Sequence, residues 1–291
     1  MFPDIYEGSL FRPPSEAYSL ILQATIGCSW DKCTFCTAFQ GKQFRIKTLE
    51  EIEQDVEKVL PLYGNTTRIF LADANALCMP TDQLEETLKL LYSKFRNLQR
   101  VAIYGGPQDI EKKSVEELTA LRKTGLKLVY FGLESGSDEI LKSVKKGATS
   151  SMMVESARKI KEAGMKFSSI FILGLGGTEL SNVHARETAR VISAQDPDYA
   201  AGLTLMVQPG SEIARDIRKG KLTLPDPKQS LEELRKIVEG LYVTNTVFRT
   251  NHASNYGGIG GTLPEDKERM LAGIDRIIAQ GNFKQEFFRR L

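Results

Sequence analysis

Histidine is scarce in this chain: His184 and His252 are the only two in 291 residues, and Trp30 is the only tryptophan. No window approaches 18 uninterrupted apolar residues, so no membrane-spanning helix is expected. The N-terminal stretch lacks a basic segment followed by an apolar run, so it does not read as a secretory signal, and a cytoplasmic location is expected. Neither sign of charge is in excess, with 39 Lys and Arg against 37 Asp and Glu. A surface built mainly for a polyanion is therefore not expected, and nucleic acid is not indicated. With 41% hydrophobic residues the chain is not of the disordered class. Cysteine is also sparse, at four residues, yet three of them fall within nine positions. In a reducing compartment such a cluster reads as metal-ligating or redox-active rather than disulfide-bonded.

Apolar, β-branched runs alternate with amphipathic stretches. The runs 18–26, 68–72, 100–104, 126–131, 167–173 and 202–207 read as strands covered by helices. Between them, Leu49, Ile52, Val56, Val59 and Leu60 share one helical face. Ser114 with Glu117 forms a capping box, Asp82 and Ser150 read as N-caps, and Gly125 and Gly164 stand where helices stop. Six strands alternating with helices predict an α/β fold with a parallel sheet, either doubly wound and open or a partial (β/α)6 TIM-like barrel. Chemistry then belongs at the C-terminal strand ends. Beyond about residue 210 the pattern becomes helical, broken by a polar, glycine-rich segment over 248–261.

Cys28, Cys33 and Cys36 have the spacing C-x4-C-x2-C directly after the first predicted strand. A structural zinc site needs four ligands and usually a second close pair, which is missing here. A plant-type ferredoxin shares the spacing and would need Cys78 as fourth ligand. That cysteine also reads simply as a small side chain at a helix entrance. A third reading takes three thiolates as sufficient, with one iron of a [4Fe–4S] cluster left open.

At this point the chain resembles the radical S-adenosylmethionine (SAM) superfamily. Its members carry three cysteines after the first strand of a partial barrel, most often as C-x3-C-x2-C; here the first gap is one residue longer. Phe35 before the last cysteine matches the family habit. The segment 71–76 occupies the slot of the family's Gly-Gly-Glu element, with Asp73 and Asn75 as its polar groups. Gly132-Leu-Glu-Ser-Gly-Ser-Asp138 is similar to a signature of the methylthiotransferase-like, Elongator-like and cobalamin-associated branches. The resemblance implies that Glu134 and Ser135 lie at the cofactor and that Lys146 serves the SAM carboxylate. The stretch with Ile172, Gly174 and Glu179 resembles the element that packs on adenine, and Pro209-Gly-Ser211 resembles a turn of the same branches.

The resemblance therefore implies metal ligands Cys28, Cys33 and Cys36. It implies SAM contacts at Phe35, Asp73, Asn75, Glu134, Ser135, Lys146, Ile172 and Gly174. Residues 1–215 would form the partial barrel and 216–291 a helical extension on its mouth. SAM and a [4Fe–4S] cluster would be the cofactors, and a flavodoxin or ferredoxin the reductant. The substrate, small or macromolecular, is not specified. His252 and Asn255 in the polar segment and Tyr104 at the third strand's end are candidates to face it, while His184 reads as structural. The single cysteine cluster leaves no ligands for a second one. A coproporphyrinogen-oxidase-like activity is an alternative, although Ile170 stands where that branch has an aspartate. A non-enzymatic iron–sulfur carrier or metal-stabilised module is the alternative outside the enzymes.

Overall fold

The computed structural model describes residues 4–289. They fall into two compact units that interleave in sequence. The first comprises the described residues of Met1–Asp31, Ala38–Phe131 and Arg158–Phe167; the second comprises those of Lys32–Thr37, Gly132–Ala157 and Ser168–Leu291.

The first unit begins with β1 (Leu20–Gln23) and β2 (Thr25–Ile26), the latter paired antiparallel with β3 (Arg45–Ile46). Then follow α1 (Leu49–Tyr63), β4 (Arg68–Ala72), α2 (Thr81–Lys94), β5 (Arg100–Gly105), the short α3 (Pro107–Glu111), α4 (Val115–Thr124) and β6 (Leu126–Glu134). β1, β4, β5 and β6 pair in parallel in that order. Their apolar residues, including Leu22, Ile69, Phe70, Leu71, Val101 and Ile103, are fully buried. Thr48 and Ser114 each close a capping box, on Glu51 and Glu117, and Gly125 ends α4 at φ 127°. A buried polar knot lies among these strands: Glu16 accepts hydrogen bonds from Arg100 and from Tyr130 Oη, both at 2.6 Å, and from Ser19.

In the chain order α5 (Asp138–Ser143), α6 (Ser150–Glu162) and β7 (Lys166–Leu173) come next. They are followed by α7 (Ser181–Gln195), β8 (Tyr199–Thr204), α8 (Glu212–Arg218), α9 (Pro227–Glu239), β9 (Thr246–Arg249), β10 (Gly260–Leu263) and α10 (Lys267–Gln280). In the second unit β7, β8 and β9 run parallel, and β10 returns antiparallel to β9. Asp226 caps α9 with Pro227 at the first helical position, where a missing N–H costs nothing.

Three local expectations change. The sixth strand lies at Tyr199–Thr204, three residues before the predicted run, because Tyr199–Ala201 pair on both sides, with Ser168–Ile170 and with Val247–Arg249. The polar segment after 248 is not merely a break in helices: its two ends form β9 and β10. Asp82 and Ser150 lie inside the first turns of their helices rather than at the caps. Ser150 N–H is satisfied by Asp138 at 2.6 Å, a cap supplied from a preceding helix. No helix among the described residues is long and apolar enough to cross a membrane.

Candidate functional site

The cysteine loop is held differently at its two ends. Gly27, at φ 77°, turns the chain out of β2, and its N–H donates to Asp73 Oδ2 at 3.1 Å. Cys28 follows, with Asp31 N–H 3.4 Å from its Sγ. In the second unit Cys36 N–H closes a tight turn on the Cys33 carbonyl at 3.2 Å. Thr34 anchors that turn twice, donating to Val144 O and accepting from Ile213 N, both at 3.0 Å. Phe35 packs against the buried cluster of Ile140, Val144, Leu175, Leu205 and Ile213. The three cysteines are partly buried and none is in a disulfide. Among the described residues no three His, Cys, Asp or Glu side chains converge closely enough to hold a metal ion.

In the first unit Asp73 directly follows β4, with its side chain fully buried. Its Oδ2 receives Lys42 Nζ at 2.6 Å as well as Gly27 N–H. Its Oδ1 is buried with no hydrogen-bond partner among the described residues. A buried carboxylate oxygen without a donor is costly and marks a place for one. Asn75 is a clamp: its Oδ1 accepts Ser29 N–H at 3.2 Å, and its Nδ2 donates to Ser29 Oγ and to Asp109 Oδ2 at 2.8 Å. Burial raises Asp109 above the usual carboxylate range. Cys78 lies on a single helical turn, Ala76–Cys78, where burial and the Asp109 carboxylate push its thiol up to about 12. It faces an open cavity of about 650 Å³ shared with Asp109 and Lys113. Tyr104 is half-buried, edge-on to Phe70 at 4.9 Å and to Tyr130 at 6.1 Å.

In the second unit the Gly132–Asp138 turn carries Glu134 at φ 60°, ion-paired with Lys146 at 2.8 Å. A Cβ at Gly132 would lie 2.2 Å from Glu134 Oε1, so a larger residue there would displace the Glu134 side chain from its pairing with Lys146. Ser135 is fully buried; its Oγ meets His184 Nδ1 at 2.8 Å and accepts Ser137 N–H at 3.1 Å. His184 is fully buried too, and burial lowers its pKa. Ile172 packs on the same apolar cluster as Phe35. Gly174, at φ 79°, donates its N–H to Glu233 Oε1 at 2.7 Å. Ile170, in the interior of β7, pairs with Ala201.

A cavity of about 270 Å³ opens at the ends of β7 and β8. Leu173, Gly174, Thr204, Leu205, Tyr256 and Arg289 are among its walls. The loop between β9 and β10 closes over β8. Asn255 Nδ2 donates to Gly202 O and Thr250 O, both at 2.8 Å, and its Oδ1 accepts from Thr204 Oγ1 at 2.8 Å. These bonds use every site of the Asn255 side chain except one acceptor lone pair. His252 Nδ1 is engaged by Ser254, and burial with the nearby Lys284 charge lowers its pKa. Arg289 is buried and ties this loop down, donating to Ser254 O, Tyr256 Oη and Leu205 O at 2.6–3.0 Å while stacking 4.1 Å over the Tyr256 ring.

Lys42, Glu233 and Arg289 were not singled out from the sequence. Glu233 carries a signal in retrospect, since it shares a helical face with the apolar Leu234 and Ile237, where an acid is out of place. Lys42 and Arg289 sit in irregular segments without periodicity, and no local pattern marks them.

The family model for the radical SAM superfamily matches residues 22–190, more than half of the chain. The heme chaperone HemW of Bacillus subtilis is 22% identical over 206 residues, covering 69% of this chain and 53% of that protein. The solved structure of TsrM, a radical SAM methyltransferase from Kitasatospora setae, superposes with a TM-score of 0.58 at 17% identity, over 74% of this chain and 44% of that one. Coproporphyrinogen III oxidase (HemN) of Escherichia coli gives a TM-score of 0.54 at 16% identity, over 76% and 51%. The chain thus spans about half the length of these relatives. The structural likeness shows the shared α/β fold, that of a partial TIM-like barrel built on parallel strands. With the family model matched across β1 to α7, this chain belongs to the radical SAM superfamily, a superfamily of enzymes.

Proposed function

We propose that the protein cleaves SAM reductively at a [4Fe–4S] cluster ligated by Cys28, Cys33 and Cys36, starting radical chemistry on a substrate. The residues present suit these groups. The donor set is three partly accessible thiols on one nine-residue loop, none spent in a disulfide. Cluster assembly draws such ligands together, because metal binding and the ordering of its site are coupled. The observation that carries the reading is the buried, partnerless Oδ1 of Asp73. It stands at the end of β4, in the slot the resemblance assigns to the SAM amino group. An ammonium is the donor this oxygen lacks, while Lys42 and Gly27 hold the other oxygen in place.

The cluster, when bound, supplies the electron that breaks a carbon–sulfur bond of the sulfonium. The protein's own groups bind and orient. Lys146 presents a cation for the SAM carboxylate, and its pairing with Glu134 fixes both side chains. The cavity at the ends of β7 and β8 takes the nucleoside, with Gly174 letting a flat ring approach the backbone closely. Leu173, Leu205, Val207 and Leu224 give that cavity an apolar side, and Thr204, Ser230, Tyr256 and Arg289 give it a polar one. A flavodoxin or ferredoxin is the proposed electron donor.

Anaerobic reconstitution with iron and sulfide tests the reading. Wild-type protein given SAM and dithionite should release 5′-deoxyadenosine, and Cys33→Ala should release none. A reconstituted [4Fe–4S] protein that binds no SAM would overturn the proposal. So would a [2Fe–2S] spectrum that disappears in Cys78→Ala.

A further inference from the structure

We infer that Glu233, from α9, is a positioning residue that joins two motif turns of the second unit by fixing the proton on His184 and the backbone at Gly174. Its carboxylate is fully buried and is surrounded by donors. Oε1 accepts Gly174 N–H at 2.7 Å, and Oε2 accepts Ser181 Oγ at 2.5 Å. His184 Nε2 lies 3.7 Å from Oε1 and makes no close hydrogen bond among the described residues, and the Ile172 backbone joins Glu233 in favouring a proton on the ring.

The tautomer of His184 follows from this environment. A buried carboxylate faces Nε2, so the favourable proton position is Nε2, directed at negative charge. Nδ1 is then an acceptor, and of the two hydroxyls that reach it, Ser135 Oγ at 2.8 Å and Thr188 Oγ1 at 3.3 Å, the closer Ser135 is its donor. With its proton committed to His184, Ser135 Oγ is free to accept Ser137 N–H at 3.1 Å. The polarity is consistent along the whole relay: Ser137 N–H to Ser135, Ser135 O–H to His184, His184 N–H toward Glu233. The opposite tautomer would point the Nε2 lone pair at the carboxylate and make Ser135 accept twice. One acid thereby sets both the turn that carries Glu134 and the turn at Gly174 that walls the cavity. Glu233 lies outside the span matched by the family model, so the segment after residue 215 contributes to the site through it.

The inference rests on the proposed function only where it concerns SAM. The chain has two histidines, so 15N-histidine labelling gives two side-chain signal sets, assigned with His252→Asn. In reconstituted wild type, His184 should show a protonated Nε2 and an unprotonated Nδ1. Glu233→Ala should move these signals toward the opposite tautomer or an exchange average. It should also weaken binding of S-adenosylhomocysteine about tenfold by calorimetry. Glu233→Gln, which keeps an acceptor for Gly174, should restore affinity to within about threefold while still shifting the nitrogen signals. A merely structural role would lower the melting temperature of both variants without the tautomer change or the rescue by glutamine. Wild-type protein with a protonated Nδ1, or a Glu233→Gln spectrum equal to wild type, overturns the inference. If wild type binds no S-adenosylhomocysteine, the proposed function fails, and the nitrogen spectra still decide the role of Glu233. If Glu233→Ala does not fold, Glu233→Gln carries the same decision.

Discussion

Asp73, just past the end of β4, and Asn255, in the loop between β9 and β10, are both buried polar side chains, one in each unit, and their hydrogen-bond accounts differ. Asn255 spends both amide protons and one oxygen lone pair on Gly202, Thr250 and Thr204. Asp73 satisfies one oxygen and leaves the other buried without a donor among the described residues. Buried polar groups are nearly always paired, so under the proposed function the unpaired oxygen is the ligand position, and the nearly saturated Asn255 is proposed as scaffold in place of the substrate-facing role expected from the sequence. Residue type alone does not separate the two cases.

The sharpest way to break this comparison is at Asp73. Asp73→Ala removes the counter-charge of Lys42, itself mostly buried. Losing one member of a buried pair costs about 3–5 kcal/mol. The milder Asp73→Asn keeps an acceptor for Gly27 but puts an amide where an ammonium is expected. Affinity for SAM should fall at least about tenfold, near 1.4 kcal/mol, with the fold retained by circular dichroism. Unchanged SAM affinity in Asp73→Asn would remove Asp73 from the site.

Asn255→Ala should behave in the reverse manner. It strands the Thr250 carbonyl and the Thr204 hydroxyl, at about 1–3 kcal/mol for each buried group left unsatisfied. A loss of about 3 kcal/mol lowers the melting temperature by roughly 6–12 °C in a chain of this size class. Affinity for SAM should stay within about twofold. A variant of wild-type stability that no longer turns over a substrate would return Asn255 to the catalytic role expected from the sequence.

Much of the frame could be read in advance, for physical reasons visible in particular residues. Ser114 with Glu117 is a local signal, and both bonds of that box are present. Strand β4 is an apolar run, Ile69 to Ala72, behind one exposed arginine, and it lies where the sequence places it. β8 starts three residues before the apolar run because its pairing depends on β9, whose register partners lie 48 residues further on, next to what the sequence presents only as a polar break. The motif positions were legible, since their spacing is local. Their occupancy was not. That Ser135 turns inward to His184, or that Lys42 reaches Asp73, depends on partners 49 and 31 residues away.

The comparison extends, with a smaller effect, to the two histidines. His252 has Nδ1 engaged by Ser254 and is half-buried, whereas His184 is wholly buried and its Nε2 makes no close hydrogen bond among the described residues. Burial is the first cause that lowers both below their usual 6.5, and for His252 the Lys284 charge adds to it. The sign follows from proton counting. Between the lowered folded values and 6.5 the unfolded chain binds more protons than the folded one, so stability rises with pH there. The contribution is fully present above pH 6.5 and is lost as pH falls through the folded values. Glu51, Glu117 and Glu212, held below 4.5 mainly by the Thr48 and Ser114 backbone N–H groups and by Lys145 respectively, have the same sign but act only below that pH. Between pH 6.5 and 5 those glutamates are silent, and Asp109, raised by burial, can only oppose the histidines, since protonating it favours the folded state, so a net loss of stability there belongs to the histidines. Each can contribute at most about 1.4 kcal/mol per pH unit. Urea unfolding at pH 7.5 and 5.5 should show wild type less stable at the lower pH, and His252→Asn should keep the larger part of the difference. If His252→Asn abolished it, the half-buried histidine would be the acid-sensitive one, and an unpaired buried nitrogen would not be the better marker of where charge is excluded.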